Sequence, residues 1–368
     1  MAQTSISAVY ARGGTSRALI FHARDLPGTM ETRPGWDAIF AAALGSPDPG
    51  ERQLDGMGGG ISSLSKIAII APSSRPDADV DYLFAQVSVQ GTTVSYRGNC
   101  GNISAAVGPF AVDEGLVSAA DGDAVVRIHN VNTGKIIHAR FGVAAGKAVV
   151  QGDLVIQGVA GSGAEIRLDF IEPGGATTGT LLPTGRPVDS LSVEGIGDVE
   201  VSLIDAANPV VFARAAAFGL GGGEAPAQIA ADRALLARLD DLRVAASVAM
   251  GVAATAEEAR TKSPNLPLVA LLSPVVGEDA DIRVRMISAG QPHKATPLTG
   301  AMCLAVAAHL PGTVVADLIG TIDDKPVRIA HASGVLPIDA DVVDGDARLV
   351  TVFRTQRRLM DGRVYLPG

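Results

Sequence analysis

Hydrophobic and polar positions along the chain follow the same order of patterns twice. Each half opens with alternating apolar residues that predict β-strands interrupted by a turn, and a stretch with helical periodicity follows. Each half then continues with two further strand-like runs. The first half reads SISAVYARGGTSRALIF, WDAIFAAALG, SKIAIIAPSS and DVDYLFAQVSV, and the second reads VEVSLIDAANPVVFA, DRALLARLDDLRVAASVAMG, LPLVALLSP and ADIRVRMISA. This order indicates an internal duplication, although many α+β proteins repeat strands and helices.

An Ala-rich apolar stretch comes next in each half, after a polar turn that contains Gly. The two stretches read NCGNISAAVGPFAVDEGLV from Asn99 and TGAMCLAVAAHLPGTVV from Thr299. Small residues throughout a helix let surrounding elements approach on all sides, so both stretches predict central, buried helices. We therefore expect an α+β fold in which each half has a curled, mostly antiparallel sheet around one central helix. If the halves are duplicates, the two helix N-termini face each other across a cleft and favour a dicarboxylate there.

The length of 368 residues exceeds the usual size of one domain and predicts two. Glycine and proline cluster in GTLLPTGRP, where we expect the boundary. The first half then covers residues 1–184, and the C-terminal half covers residues 185–352. We allow for the tail, residues 353–368, to join the first half.

Composition narrows the function classes. A formal net charge of −9 and an aromatic fraction of 4% disfavour nucleic-acid binding, which needs basic surfaces and stacking rings. The sequence shows no apolar run long enough to cross a bilayer and no basic, then apolar, N-terminal leader, which predicts a cytoplasmic protein. Two cysteines are too few for a disulfide framework, and six scattered histidines lack metal-ligand spacing. We expect no metal and no nucleotide cofactor, since GMGGG is not a dinucleotide fingerprint.

Cys100 is the first catalytic candidate, because it lies in GNCGN directly before the first central helix. A thiol at that position feels the positive end of the helix dipole, which favours the reactive thiolate. Glycines and asparagines around it expose backbone, although a lone thiol is more often a structural core residue. Cys303 stands among Ala, Leu and Val inside the second helix, and we assign it to the core.

Lys66 is the second candidate, at the start of the apolar strand SKIAIIAP and after the loop GMGGGISS. Its alternative role is a solvated charge at the end of a strand. An ordinary lysine titrates near pH ~10.4 and an ordinary thiol near ~8.5, so the thiolate is energetically the easier base and Lys66 the easier acid or carboxylate clamp. Arg12, His293 and Lys294 lie in turns beside the repeated strands and are further candidates for a cleft.

Taken together, RGGTS, GSPDPGERQLDGMGGGISSLSK, DVDYLFAQV, GNCGNISAAVGPFAVDEGLV, LLPTG, DAANPVVF and PHKATPLTGAMC resemble the PrpF-like isomerases. That family includes methylitaconate, methylaconitate and aconitate isomerases and 4-oxalomesaconate tautomerase. The resemblance implies a fold similar to diaminopimelate epimerase, and it implies that the lysine of the SK motif and the cysteine of NCGN, here Lys66 and Cys100, are catalytic. The epimerase has one cysteine in each half, whereas the second turn here reads ATPLTGA and has no thiol.

The family's motifs also indicate which residues contact the substrate. The chain departs from the family pattern beside these motifs, with Leu64 in place of the usual Thr of TSK and Arg17 in place of the lysine of RGGTSK. We expect substrate contacts from these residues: Arg12, Gly13, Gly14, Thr15, Ser65, Asn99, Gly101, Asn102, His293, Thr299 and Gly300.

The expected reaction is a cofactor-independent 1,3-proton shift that moves a double bond within a small unsaturated di- or tricarboxylate. The resemblance favours Lys66 as the base, while the ordinary titration of thiols favours Cys100. We prefer Lys66, because an apolar pocket beside IAII could desolvate it. Two other roles stay open: an accessory protein for a dehydratase-type partner, and a cysteine hydrolase, which would need a histidine oriented toward Cys100. As partners we expect a small anionic substrate, neither nucleic acid nor membrane, and we allow for a homodimer.

Overall fold

The computed structural model describes residues 3–275, 279–288, 290–320, 322 and 326–367. The chain divides into two compact units, Met1–Asp169 with Phe353–Gly368, and Phe170–Val352. The first unit therefore ends at residue 169, whereas the sequence placed the boundary after residue 184. Backbone hydrogen bonds explain the difference: Gly175 N donates to the carbonyl of Asp205, and Asp205 N donates to the carbonyl of Leu181. Among the described residues, no helix has the length and apolar character needed to cross a membrane.

The first unit is a curled sheet with one helix on each face. Its strands follow the order β19, β1, β2, β3, β4, β6, β7 by hydrogen bonding, and the β2–β3 and β4–β6 pairs are parallel while the others are antiparallel. The elements are β1 (Thr4–Gly13), β2 (Ser16–His22), α1 (Trp36–Leu44), β3 (Lys66–Pro72), β4 (Val80–Val87), β5 (Val94–Ser95), α2 (Gly101–Asp113), β6 (Gly122–Asn130), β7 (Lys135–Ala144), β8 (Lys147–Ala148), β9 (Ile166–Ile171) and β19 (Gln356–Leu366).

The sheet of the first unit uses alternate residues for its two faces. Tyr10, Phe21 and Ile67 belong to the core that packs on one face against Trp36 and Phe40 of α1. The opposite face packs on α2, which is buried along almost its whole length. The close packing depends on small residues, since a Cβ at Gly108 would lie 2.8 Å from the Phe141 ring and 2.9 Å from Ala139 Cβ. The Ala-rich composition of α2 thus places it inside the curl of the sheet.

The second unit repeats this plan. Its strands follow the order β10, β11, β12, β13, β14, β16, β17, with β12–β13 and β14–β16 parallel. The elements are β10 (Asp189–Val193), β11 (Gly197–Ala206), β12 (Asn208–Arg214), α3 (Pro226–Ala231), α4 (Arg233–Ala249), α5 (Ala256–Thr261), β13 (Leu268–Ser273), β14 (Ile282–Ser288), β15 (Gln291–Pro292), α6 (Leu298–Ala308), α7 (Val314–Ile319), β16 (Val327–His331), β17 (Gly334–Val343) and β18 (Asp346–Arg354). Helix α4 packs on the sheet as α1 does, and the buried α6 takes the place of α2.

Strand register shows that the two units are duplicates. The parallel pair β2–β3 begins with Ala18 opposite Lys66, and β12–β13 begins with Val210 opposite Leu268. Further along, Tyr82 lies opposite Ile70 in the first unit, and Val284 lies opposite Leu272 in the second. The expected α+β fold, with two pseudo-symmetric halves that each curl a sheet around a central helix, is confirmed. Leu268 therefore corresponds to Lys66, and Val284 corresponds to Tyr82.

Candidate active site

Cys100 is the N-cap residue of α2, as the sequence predicts. Its backbone is extended, with φ −114° and ψ 92°, and its side chain forms no capping hydrogen bond. Its carbonyl accepts hydrogen bonds from the backbone N (3.0 Å) and the hydroxyl (3.1 Å) of Ser104. The first N–H groups of a helix have no partner within the helix. The thiol thus lies at the N-terminus of a buried helix, next to donors that favour negative charge.

The turn between β1 and β2 packs directly on the first turn of α2. A Cβ at Gly13 would lie 2.4 Å from the carbonyl oxygen of Asn102 and 3.0 Å from Ile103 Cα. At Gly14 the backbone is left-handed, with φ +50°, and a Cβ would lie 2.1 Å from Asn102 Oδ1. The two glycines therefore allow a close contact between the hairpin and the helix that begins beside Cys100.

Asn102 holds this contact through its side chain. Its Oδ1 accepts hydrogen bonds from Thr15 N (3.4 Å) and Arg354 Nε (3.3 Å), and its Nδ2 donates to Thr15 Oγ1 (3.2 Å). Burial lowers the pKa of Arg354 to about 10. Sequence reasoning missed Arg354, because it stands far from every motif along the chain.

Arg12 supports the same turn. Its Nη1 donates to the carbonyls of Gly14 (2.9 Å) and Thr355 (3.0 Å). Burial, and then the charge of Arg357, lower the pKa of Arg12. The structure therefore brings Arg12, Gly14 and Asn102 together with Arg354 at the start of α2, which concentrates positive charge there.

Lys66 is the first residue of β3 and is half-buried. Its Nζ donates to Gln86 Oε1 at 2.6 Å and lies 5.1 Å from the centroid of the Phe84 ring. Gln86 Nε2 donates to the carbonyls of Ser65 (3.0 Å) and Ser62 (3.1 Å), which fixes the oxygen of this amide toward the lysine. Sequence reasoning did not identify Gln86, because only the strand register shows that it lies opposite Lys66.

Ser65 organises the glycine-rich loop that precedes β3. Its hydroxyl is fully buried and donates to Gln53 Oε1 (2.7 Å) and to the carbonyl of Ile61 (2.9 Å). Gln53 Oε1 also accepts from Gly60 N at 2.9 Å. Ser65 thus ties the loop to the strand one residue before the catalytic candidate Lys66.

A chain of amides connects the strand of Phe84 with the turn before Cys100. Asn132 accepts from Phe84 N (2.8 Å) and donates to the carbonyls of Phe84 (2.9 Å) and Tyr96 (2.6 Å). Asn130 donates to Asn99 Oδ1 (3.3 Å) and also to Asn132 Oδ1 (3.4 Å). Asn99 is therefore positioned from β6, and Gly101 follows Cys100 as the first, buried residue of α2.

The strand register places the side chains of Lys66, Tyr82 and Gln86 on one face of the sheet. Lys66 pairs with Gln86, and Tyr82 follows four residues before Gln86 on the same strand, so all three side chains share one face of the sheet. This is the face toward α2, because the alternate residues Ile67 and Leu83 belong to the core that packs on α1. We call this surface, which comprises Lys66, Tyr82, Phe84, Gln86 and Cys100, the inner face.

The candidates of the second unit lie around the start of α6. His293 N donates to the carbonyl of Met286 at 2.8 Å, and Thr299 is buried in the first turn of the helix. A Cβ at Gly300 would lie 2.4 Å from Met286 Sδ, so Gly300 lets α6 pack closely on β14. The N-cap residue here is Pro297, where the first unit has Cys100.

Cys303 is the second thiol of the chain, and it lies away from the helix N-terminus. Cys303 is fully buried, its Sγ lies 3.4 Å from the carbonyl oxygen of Ile204, and burial raises its pKa well above the usual value. This is the core position that the sequence predicts. Among the residues that the structure describes, no group of three or more His, Cys, Asp or Glu side chains is arranged to hold a metal ion.

Comparison with known proteins gives consistent similarities over the whole chain. A family model described as PrpF protein matches residues 3–367. The chain is 42% identical to a 3-methylitaconate isomerase from Eubacterium barkeri, over 99% of this chain and 98% of that one. It is 39% identical to a 2-methyl-aconitate isomerase from Cupriavidus necator, over 100% and 98%. A crystal structure of methylitaconate-delta-isomerase superposes with a TM-score of 0.81 at 42% identity, over 99% of this chain and 96% of that one.

Proposed function

The chain belongs to the PrpF family and is a small-molecule isomerase, and we propose that it moves a carbon–carbon double bond within an unsaturated polycarboxylate by a 1,3-proton shift. The observation that supports this proposal is the difference between the two units at the inner face. Its first-unit positions hold Lys66 and Cys100, whereas the corresponding positions of the second unit hold Leu268 and Pro297. Apolar residues can thus satisfy the packing at these positions. Packing therefore does not explain why the first unit has a lysine and a cysteine there.

Lys66 acts as the base that removes the γ proton of the substrate. Its Nζ is half-buried beside the Phe84 ring, and its one described hydrogen-bond acceptor is the neutral amide of Gln86. The side chain therefore has an uncharged hydrogen-bond partner and is held in place on the sheet. Gln86 also fixes the position of Nζ, because its own amide nitrogen is held by two backbone carbonyls.

Cys100 returns a proton to the α carbon of the dienolate. The net step breaks one C–H bond and forms another, and no electrons leave the substrate, so the proposed chemistry requires no redox cofactor. Lys66 is left with one proton more and Cys100 with one fewer, and proton exchange with water returns both groups to their starting forms. The dienolate carries negative charge on the carboxylate, and the N–H groups of the first turn of α2 are oriented to stabilise charge at that place. The thiol at the N-cap lies beside the same donors.

The cations near this turn and the relatives support a substrate class. Arg354 donates to Asn102, and Arg12 donates to the carbonyl of Gly14 in the adjacent turn, and two cations there suit an anionic group. The two isomerases named above act, by name, on 3-methylitaconate and 2-methyl-aconitate. We propose a small di- or tricarboxylate of this kind, with Thr15, Ser65, Asn99, Gly101 and Asn102 of the first unit among its surroundings. The homodimer and the division into domains stay predictions.

Exchange of substrate protons in deuterium oxide tests this proposal directly. We expect the pure protein to incorporate deuterium into at least one of methylitaconate, aconitate, methylaconitate and oxalomesaconate, with new olefinic signals in the proton NMR spectrum. Cys100→Ser should lower the rate by at least about a hundredfold, because it removes the proposed proton donor. Cys303→Ser is the matched control and should retain activity. Absence of exchange with every acid of the panel would favour the accessory role, and equal losses from both substitutions would contradict the one-cysteine mechanism.

A further inference from the structure

Arg354, the last residue of β18, is a buried cation without a counterion. The residue is only 7% exposed. Its Nε donates to Asn102 Oδ1 (3.3 Å) and its Nη1 donates to the carbonyl of Phe353 (2.8 Å), and both acceptors are uncharged. No acidic side chain forms an ion pair with Arg354 in the part of the chain that the structure describes. Burial of an unpaired charge is costly, so buried arginines normally have an acidic partner.

Arg243 shows how the same protein buries an arginine whose charge is matched. It is 4% exposed, and its Nε donates to Asp240 Oδ1 at 2.8 Å. Its Nη1 also donates to three backbone carbonyls. For Arg354 no carboxylate offsets the burial, which alone lowers its pKa to about 10. The first unit therefore contains a positive charge that the described residues do not neutralise.

The place where Arg354 is buried is also unfavourable for a cation. Its partner Asn102 lies in the first turn of α2, and the N-terminal end of a helix carries partial positive charge. Arg12 adds a second guanidinium, because its Nη1 donates to the carbonyl of Thr355, the next residue after Arg354. The charge of Arg357 lowers the pKa of Arg12, so these cations repel one another. Guanidinium groups and free helix N–H groups gathered in one place favour an anion.

The second unit indicates that packing does not require an arginine here. Thr299 takes the place of Asn102, since each is the second residue of its helix after the N-cap. Thr299 is 4% exposed, and no hydrogen bond joins it to an arginine among the described residues. A buried central helix can therefore begin without a guanidinium beside its first turn.

We propose that Arg354 is a substrate-binding residue, whose guanidinium and the first N–H groups of α2 together bind one carboxylate of the substrate. The carboxylate supplies the negative charge that Arg354 lacks. It accepts a hydrogen bond from Nη2, which has no acceptor among the described residues. The role in turnover rests on the proposed function, but binding of an anion can be measured without turnover.

Binding of tricarballylate to the full-length protein tests the proposal. This tricarboxylate is saturated, so it has no double bond to move, and isothermal titration calorimetry measures its affinity. We expect Arg354→Gln to weaken binding by about tenfold or more, the usual contribution of a hydrogen bond between charged groups. Arg363→Gln is the matched control, because it removes an exposed arginine of the same tail that bonds to Ser5, and it should bind like the wild type.

Thermal unfolding separates an anion site from a structural role. Without ligand, Arg354→Gln loses an unpaired buried charge, so its unfolding midpoint should equal or exceed that of the wild type. Tricarballylate should raise the midpoint of the wild type and have little effect on the variant. A lower midpoint with unchanged affinity would show that Arg354 is structural. Failure of the wild type to bind tricarballylate would also contradict the anion site.

A crystal structure of the wild type with tricarballylate decides the question if Arg354→Gln does not fold. We expect a carboxylate oxygen within hydrogen-bond distance of Arg354 Nη2, and a ligand bound elsewhere would overturn the proposal. The proposed function is tested separately. Isomerisation by the wild type, with equal tricarballylate affinity in Arg354→Gln, would reject only the role of Arg354. Arg354-dependent binding without isomerisation would reject only the proposed reaction.

Discussion

At the scale of single residues, the two reactive groups of the site differ from ordinary side chains in their hydrogen-bond partners. Lys66 has a neutral amide and an aromatic ring beside its Nζ, where most surface lysines have water or a carboxylate. Cys100 has helix N–H groups nearby but no capping hydrogen bond from its own side chain. The motifs SK and NCGN were readable from the sequence. Their partners Gln86 and Arg354 were not, because each belongs to the site through strand register or packing.

Replacement of Lys66 separates the role of a base from that of a clamp. Arginine keeps the positive charge but does not release a proton at accessible pH. If Lys66 is the base, both Lys66→Ala and Lys66→Arg should lower deuterium incorporation by about a hundredfold or more. Only Lys66→Arg should still allow the substrate to protect Cys100 from alkylation.

The matched control for Lys66→Arg is Lys135→Arg, because Lys135 is also a lysine at the first position of a strand. Lys135→Arg should incorporate deuterium into the substrate at the wild-type rate. Near-normal turnover by Lys66→Arg would assign the role of base to the Cys100 thiolate.

At the scale of elements, hydrophobic periodicity was sufficient for the strands and helices that surround the site. The run broken by Gly13 and Gly14 forms β1 and β2, and the two Ala-rich stretches form α2 and α6. Periodicity does not reveal which face of a strand meets which helix. It also does not reveal that Asn102 packs directly against Gly13 and Gly14, since that contact joins segments distant in sequence.

The close contact between the β1–β2 turn and α2 predicts a strong effect of a single methyl group. In Gly13→Ala the added Cβ would meet the backbone oxygen of Asn102 at 2.4 Å, and neither backbone can move away without displacing the start of α2. We expect a loss of about 1–3 kcal/mol in the free energy of unfolding and reduced turnover. Urea unfolding and the exchange assay would measure the two effects.

Gly223→Ala provides the control, because a Cβ at Gly223 has no atom within 4 Å among the described residues. It should behave like the wild type in both assays. If Gly13→Ala were as stable and as active as Gly223→Ala, the close approach of the hairpin to α2 would not be needed for the site.

At the scale of the whole molecule, the two units share one architecture but differ in the side chains on the sheet face that meets the central helix. Both units use the same strand order and a buried Ala-rich helix, but only the first has lysine, tyrosine and a cysteine at the helix N-cap at the inner-face positions compared above. The sequence showed the repeat through its order of patterns. It indicated the tail, residues 353–368, only as an optional addition to the first half, and it did not show that β19 of this tail pairs with β1.

A partly buried ion-pair cluster at the far end of α2 joins this tail to the rest of the first unit. Glu114 pairs with Arg358 of β19 and with His22 of β2, whose Nε2 lies 3.2 Å from Glu114 Oε2. Burial would raise the pKa of Glu114, but hydrogen bonds and charge from Arg358 and His22 outweigh it and hold the pKa below its usual value. The folded state therefore binds this proton less tightly than the unfolded chain, which makes its stability depend on pH.

The sign of that dependence gives the last prediction. A depressed carboxyl pKa contributes stability above the unfolded value, near pH ~4.3, and the contribution is lost as pH falls through the lower folded pKa. Glu114→Gln removes the titration, so its urea unfolding midpoint should be lower than that of the wild type at neutral pH and should converge with it in acid. Glu257→Gln, on the exposed first turn of α5, should leave the pH profile nearly unchanged. A constant difference between Glu114→Gln and the wild type from neutral to acid pH would show that packing, rather than the charge of Glu114, attaches the tail.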